Sequence, residues 1–401
     1  MWRARGVMGR GVALMAVLLV VSRGVAAARH HPHMESKRKV HFMLLGQQKC
    51  GTSSLWNLLT AHPHIRMAGH RKENFYWGPG GTGHDAMRWD MCLLPTEGYT
   101  AFLENDRAFD DLHSGDILGD FTATHFSCPC CPERFKLLNP DMKLMVVLRE
   151  PRSRSESRFE EQRSMKGRFS EVPFEELAEQ EVEWMQSHSC QPNRYLPPGN
   201  PKLDRARELI CTARSNVVGW SNYPVFIRNW LEHFPAEQLL VVYTEQFERD
   251  PAAVLTAMES FLGVEKYKYP EEVLSHTHYN TGDCGYGWDV GDDSKCEPHH
   301  SSARKEAYYD ELSRHHHRAT PNDAYFDSIA AGMLELAREG RITLPPLSWF
   351  AKGRLERVGI TREEYGSMQA EQADALQQSG MYPSSEIRTA VKEMVKGLHM
   401  A

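Results

Sequence analysis

Residues 40–61 read VHFMLLGQQKCGTSSLWNLLTA, and their three parts ask for three different backbones. Val40 to Leu45 is an apolar run of strand length, Gly46 to Ser53 is small and polar, and Leu55, Leu58 and Leu59 then recur at helical spacing. A strand, a tight loop and a helix in that order aim backbone N–H groups and a helix N-terminus at one point, where both favour an anion. Gly51 lets the backbone approach closely, Thr52, Ser53 and Ser54 offer hydroxyl donors, and Lys49 adds a charge. The stretch is built for phosphate.

A magnesium-nucleotide loop of the type G-x-x-x-x-G-K-[ST] puts its lysine after the second glycine and the next hydroxyl on the metal. Gly46 and Gly51 keep that spacing, but Thr52 follows, and the lysine sits inside the loop at 49. A second buried-strand pattern, KLMVVLRE at 143–150, stops before Pro151 and runs into a helical stretch, Arg152 to Gln162. An NTPase would end that strand on a magnesium-binding aspartate; this one ends on Arg149, a direct anion ligand. Ser157 lies about two helical turns further on, so an arginine and a hydroxyl can grip one phosphate.

Both motifs carry a family resemblance. GQQKCGTSSLWNLL resembles the 5′-phosphosulfate loop of sulfotransferases that use 3′-phosphoadenosine 5′-phosphosulfate (PAPS), and LREPRSRSESRF resembles their 3′-phosphate motif, R-x-P-x-x-R-x-x-S-x-[FY]. RKENFYW at 71–77 is similar to the family's K-E-x-x-F-[FW] segment, and GWSNYPVFIRNWLEHFPAEQLLVVYTEQFERDP to its G-x-Y-x-x-x-L-x-x-W segment with the strand that follows. The likeness runs in order from Val40 to Glu306, toward the Golgi carbohydrate sulfotransferases of heparan and chondroitin type, including the N-acetylgalactosamine 4-sulfate 6-O class.

The resemblance implies an α/β fold, a P-loop-like parallel sheet flanked by helices. It implies PAPS as co-substrate, a hydroxyl of a glycosaminoglycan-like carbohydrate as acceptor, and no metal. Sulfuryl transfer to an alcohol needs a base for the proton and cations for the departing charge. Glu73 is the candidate base, with Lys72 beside it and Lys49 across the pocket. Cys50, Gly51, Thr52, Ser53 and Ser54 would hold the 5′ side, and Arg149 and Ser157 the 3′-phosphate. Arg304 and Lys305, in SSARK at 301–305, stand where the family has a basic cofactor loop, although its glycine is missing here. A disulfide between Cys284 and Cys296 would precede that loop. DILGDFT at 116–122 resembles the family's G-E-x-[ST]-P-x-Y segment, with Asp120 in place of the glutamate. Asp120 is therefore a candidate acceptor contact, and His125 a reserve base.

The 401 residues, 41% hydrophobic and 25% charged, can bury one large core or two modest ones. A net charge of −6 argues against a protein that coats nucleic acid, while local basic patches are still open to an acidic glycan. At the N-terminus, residues 1–28 carry Arg3, Arg5 and Arg10 before an apolar run from Val12 to Val21, then Ala26-Ala27-Ala28. That run is shorter than the about 20 residues of a membrane span, which reads as a cleaved signal peptide; the resemblance points to a short type II anchor instead. Either puts the body in the Golgi lumen or outside the cell, with membrane contact confined to this segment. Residues 29–39 form a charged linker, 40–343 the sulfotransferase domain, and 344–401 an extension of amphipathic helices broken at Tyr382-Pro383. The nine cysteines should mostly pair in an oxidising lumen, leaving Cys50 as the free thiol. Cys128-Pro-Cys-Cys131 lacks the second ligand pair zinc needs, so a disulfide is expected there. The histidine runs at 299–300 and 315–317 point in different directions on a helix and read as solvated. Two rival functions use the same features: a nucleotide kinase or NTPase on the 46–53 loop, and a non-catalytic glycan-binding protein on this fold.

Overall fold

Alternate residues of each strand belong to opposite faces, and in a parallel sheet both faces must be covered. The computed structural model describes residues 39–68, 72–77, 96–105, 109–110, 112–166, 171–187, 201–275, 322–350 and 353–378. Five strands, β1 (Phe42–Leu44), β2 (Ile65–Met67), β3 (Ile117–Asp120), β4 (Lys143–Leu148) and β5 (Leu239–Tyr243), form one sheet in the order β2-β3-β1-β4-β5. All four pairings are parallel, with Met43 level with Asp120 on one side and Leu144 on the other, and Leu148 level with Tyr243.

The described helices of six residues or more are α1 (Thr52–Thr60), α2 (Thr96–Asn105), α3 (Cys131–Leu138), α4 (Pro151–Lys166), α5 (Phe174–Gln186), α6 (Pro201–Arg214), α7 (Tyr223–Leu231), α8 (Thr244–Arg249), α9 (Pro251–Leu262), α10 (Asp323–Arg338) and α11 (Arg362–Gln378). Phe42, Leu44, Met145, Val147, Leu240 and Val242 pack with Leu55, Leu58 and Leu59 of α1 and Leu255 and Met258 of α9. Met43, Leu144, Val146, Leu148, Val241 and Tyr243 pack the other way, with Phe135, Trp230, Met333 and Trp349. Gly119 has no side chain because the Phe42 ring lies across it: a Cβ there would come within 2.1 Å of that ring.

Helix α5 opens on two acids, Glu175 and Glu176, which suit a helix N-terminus, and all five residues of β5 are buried. Helix α9 starts on Pro251 with the Asp250 carboxylate accepting from the Ala253 N–H (2.9 Å) and stops at Gly263, φ 78°. The expected strand over 40–45 is shorter as a ladder, yet its pairing continues through Leu45 N–H to Met145 O (2.9 Å). Three-residue β2 has no pattern of its own and exists by pairing with β3.

The expected boundary at 343 is not a boundary of the core. Trp349, Phe350, Leu355, Ile360 and Tyr365 are buried in the same cluster as β4 and β5. Thr343 is stitched to β5, its carbonyl accepting from Tyr243 Oη (2.6 Å) and its hydroxyl donating to Val241 O (3.0 Å). A disulfide joins Cys128 and Cys131, Cys130 and Cys211 are also disulfide-bonded, and among the described cysteines Cys50 is free. Residues 1–38, Cys284, Cys296, Arg304, Lys305, both histidine runs and Tyr382-Pro383 lie outside the described residues. No helix among the described residues is long and apolar enough to cross a membrane.

The chain leaves central β1 toward β2 and β3, then returns to the other side for β4 and β5. The loops after β1, β3 and β4 therefore meet at one crevice beyond the carboxyl ends of the strands, where open α/β sheets bind ligands.

Candidate active site

The loop between β1 and α1 is held by main-chain pairing before it turns. Gln47 N–H donates to Val147 O (2.9 Å) and Val147 N–H to Gly46 O (2.8 Å). The wholly buried Gln47 amide donates to the Ser127 hydroxyl and to Trp220 O (2.9 Å), and accepts from Gln48 N–H (2.8 Å). Lys49 (φ 73°) and Gly51 (φ 80°) are left-handed, the conformation that turns the chain into α1. No side chain caps α1 and its first turn has no acid, so that helix end suits an anion. Thr52 and Ser54 are buried and Ser53 half-buried.

Helix α4 clamps the same loop. Arg154 is fully buried and donates through Nε to Gln48 O (3.0 Å) and through Nη1 to Asn216 O (3.1 Å) and Val217 O (2.8 Å). Burial lowers its pKa to about 10, which leaves it cationic at neutral pH. Arg149 sits at the tip of β4, its carbonyl accepting from Tyr223 Oη (2.8 Å). The tip of β5 braces both elements: Thr244 Oγ1 donates to Cys50 O (3.0 Å) and Leu148 O (3.1 Å), and Glu245 Oε1 accepts from Glu150 N–H (2.9 Å). Glu150 in turn pairs with Arg354 (2.8 Å), which also holds Asp327 (2.8 Å).

The Lys49 ammonium meets Glu161 of α4 at 3.4 Å, and Glu161 also pairs with Arg158. Burial lowers the Lys49 pKa, Glu161 opposes that, and the Arg158 and Arg149 cations push it down further. Lys49, Arg149 and Arg158 thus share one electrostatic neighbourhood. Ser157 is half-buried on the same helix. The Cys50 thiol is buried, which pushes it up to about 11 against the pull of Arg154 and Arg149; it is no nucleophile at neutral pH.

The candidate base reaches the crevice from the other side. Glu73 Oε2 accepts from Ala123 N–H (2.8 Å), and Oε1 pairs with Lys72. Ala123 is also what makes Gly46 a glycine: a Cβ at 46, φ 138°, would lie 2.4 Å from Ala123 O. One residue therefore links base and phosphate loop. Asn74 anchors the segment, donating from N–H to Thr122 Oγ1 (3.0 Å) and from its amide to Asp120 Oδ2 (3.1 Å).

Two expectations change here. Asp120, read as an acceptor contact, is fully buried, and its carboxylate accepts from Tyr99 Oη (2.6 Å), Thr122 Oγ1 (2.6 Å) and the Asn74 amide. Its oxygens are engaged by these donors, one of which, Asn74, belongs to the Glu73 segment. His125, the reserve base, is fully buried edge-on to Phe135 (4.9 Å, 86°), and burial lowers its pKa against the charges of Asp120 and Glu73. A ring closed off from solvent is poorly placed to serve an acceptor. The sequence reading missed Arg154, Arg158 and Glu161. Their spacing on one predicted helix, three and four residues apart, was the available signal. Among the described residues, no group of three or more His, Cys, Asp or Glu could hold a metal ion.

Comparison with known proteins bears on this arrangement. Mouse bifunctional heparan sulfate N-deacetylase/N-sulfotransferase 4 is 28% identical over 234 residues, 57% of this chain and 23% of that protein. Mouse heparan sulfate glucosamine 3-O-sulfotransferase 3A1 is 26% identical over 233 residues, 58% of this chain and 47% of its own. The chain thus spans about a quarter of the bifunctional relative and about half of the other. A crystal structure of a sulfotransferase from Alicyclobacillus acidocaldarius aligns over 74% of this chain and 95% of its own, at 21% identity and a TM-score of 0.44. Residues 39–281, which hold the phosphate loop, Glu73, Arg149 and α4, match the sulfotransferase domain family, and the chain belongs to it.

Proposed function

We propose that this chain transfers a sulfuryl group from PAPS to a hydroxyl of a glycosaminoglycan-like carbohydrate. The observation that carries the reading is the convergence of a left-handed phosphate loop with Arg149, at the strand tip where a magnesium nucleotide enzyme has an aspartate. The residues present fit the co-substrate. A Cβ at Gly51 would meet nothing within 4 Å, so the loop is open there, and Lys49 and Arg149 bring positive charge to it.

Residues 49–54 would hold the 5′ side, and Arg149 and Ser157 the 3′-phosphate. Arg304 and Lys305 are assigned to that phosphate by sequence. When bound, PAPS supplies the sulfuryl group and a phosphate leaving group. Glu73 takes the proton of the sugar hydroxyl: Ala123 N–H and Lys72 fix its two oxygens, so the carboxylate is oriented before the acceptor arrives. Lys49 offsets charge developing on the departing phosphate. A carbohydrate acceptor is supported by the heparan sulfate enzymes among the relatives. The N-terminal targeting pattern supports a Golgi-lumenal body, with membrane contact through that segment alone and no nucleic acid partner.

The test is thermal stabilisation of the full chain by 3′-phosphoadenosine 5′-phosphate without magnesium, set against ADP and ATP. A ligand at a hundredfold its Kd adds about 2.7 kcal/mol to the folded state. Glu73→Gln should keep that stabilisation and lose about 10²- to 10⁴-fold in transfer from labelled PAPS to desulfated glycosaminoglycans. Stabilisation by magnesium ATP alone would replace this reading with a nucleotide kinase.

A further inference from the structure

The reaction described above leaves one carboxylate at the phosphate loop without a task. Glu161 reaches Lys49 with Oε1 at 3.4 Å and Arg158 with Oε2, so each oxygen serves a different cation. The three side chains are 16%, 13% and 11% exposed; the pairs are therefore screened much less than surface pairs. Burial pushes the Glu161 carboxyl up, but Arg158 and Lys49 overcome that and hold it below the usual carboxylate range. A single ionised group thus bridges two cations beside a loop whose backbone is arranged for a phosphate.

We infer that Glu161 is an internal counter-anion of the phosphate loop, paired with both Lys49 and Arg158 while the loop is empty and giving Lys49 up when the 5′-phosphate end of the nucleotide arrives. The inference rests on the PAPS reading. Without Glu161, Lys49 and Arg158 would each lose this ion pair while Arg158 and Arg149 go on repelling Lys49. With it, an incoming phosphate must displace one carboxylate oxygen and then sit near a negative charge. Glu161 therefore sets the affinity for nucleotide below what the loop could reach, and it speeds release of the spent 3′,5′-bisphosphate. Arg158 keeps the carboxylate during the exchange, since it is held by the second oxygen.

The experiment is calorimetric titration of the full chain with 3′-phosphoadenosine 5′-phosphate. The proteins are the wild type, Glu161→Gln, Glu161→Asp and, as control, Glu160→Gln, which removes an equal charge from an exposed neighbour paired with Arg163. Glu161→Gln should bind about tenfold tighter, with a slower off-rate by stopped flow. Glu161→Asp, with the charge kept on a shorter arm, should fall between, and Glu160→Gln should stay within twofold of wild type. A purely structural Glu161 predicts weaker binding on substitution, so unchanged or weaker binding by Glu161→Gln overturns the inference. If that variant does not fold, Glu161→Asp at or below wild-type affinity overturns it equally. Absence of binding by every protein, wild type included, would instead remove the PAPS reading beneath it.

Discussion

Asp120→Asn separates two roles that a carboxylate at the end of β3 could have. The native carboxylate takes three donors, Tyr99 Oη and the Asn74 amide on Oδ2 and Thr122 Oγ1 on Oδ1. An asparagine has one acceptor oxygen. Placed over Oδ2, it keeps two bonds at neutral strength and turns an N–H toward Thr122, whose hydroxyl already accepts from Asn74 N–H. A hydrogen bond to a charged group contributes about 1.5–3 kcal/mol and a neutral one about 0.5–1.5. Two weakened bonds and one lost bond cost about 5 kcal/mol. For a domain larger than 200 residues that lowers Tm by roughly 10 °C, at about 2 °C per kcal/mol. Differential scanning fluorimetry reads the shift, and transfer assays with the same protein should show kcat falling more than the acceptor KM rises, because the Glu73 segment loosens. A Tm within about 1 °C of wild type, with only the acceptor KM raised, would refute the packing role and return Asp120 to the acceptor.

Two further predictions concern buried charge near the tip of β4. Arg354→Met leaves Glu150 and Asp327, each 12% exposed, without their shared cation; urea unfolding should show a loss of about 3–5 kcal/mol, partly restored by adding Glu150→Gln. Burial pushes the Glu245 carboxyl up to about 7, from the 4.5 of a free glutamate. The folded state keeps a proton there that the unfolded chain has already lost, so wild-type stability should fall as pH rises from 4.5 through 7. Measured against Glu245→Gln, which keeps the bond from Glu150 N–H, that loss is on the order of 3 kcal/mol; parallel curves for the two proteins would contradict it.

The parts legible in the sequence were those whose identity depends on neighbours along the chain. The small polar run between Leu45 and Leu55 could only be a tight loop, and the lysine at 49 with the arginine at 149 distinguished it from a magnesium nucleotide site. Asp120 was ambiguous because a carboxylate after a strand looks the same whether it faces a ligand or buried donors. The donors come from Tyr99 and from Asn74, on segments that only the fold brings together. Arg154 was silent for the same reason: its partners are carbonyls at 48, 216 and 217. The boundary at 343 followed the end of sequence similarity, whereas Trp349, Phe350 and Tyr365 continue the apolar layer over β4 and β5.

The ion pair between Glu150 and Arg354 spans 204 residues. During synthesis, the strand tip that presents Arg149 is therefore finished only after Arg354 has emerged. Until then Glu150 has no Arg354, and the apolar face that Trp349 and Phe350 will cover stays open. A nascent or prematurely ended chain would carry the phosphate loop and every residue assigned to the reaction, and still leave a greasy, acidic notch beside the nucleotide crevice. Such a chain would expose the apolar surface that Trp349 and Phe350 bury in the finished fold, and exposed apolar surface is prone to aggregate.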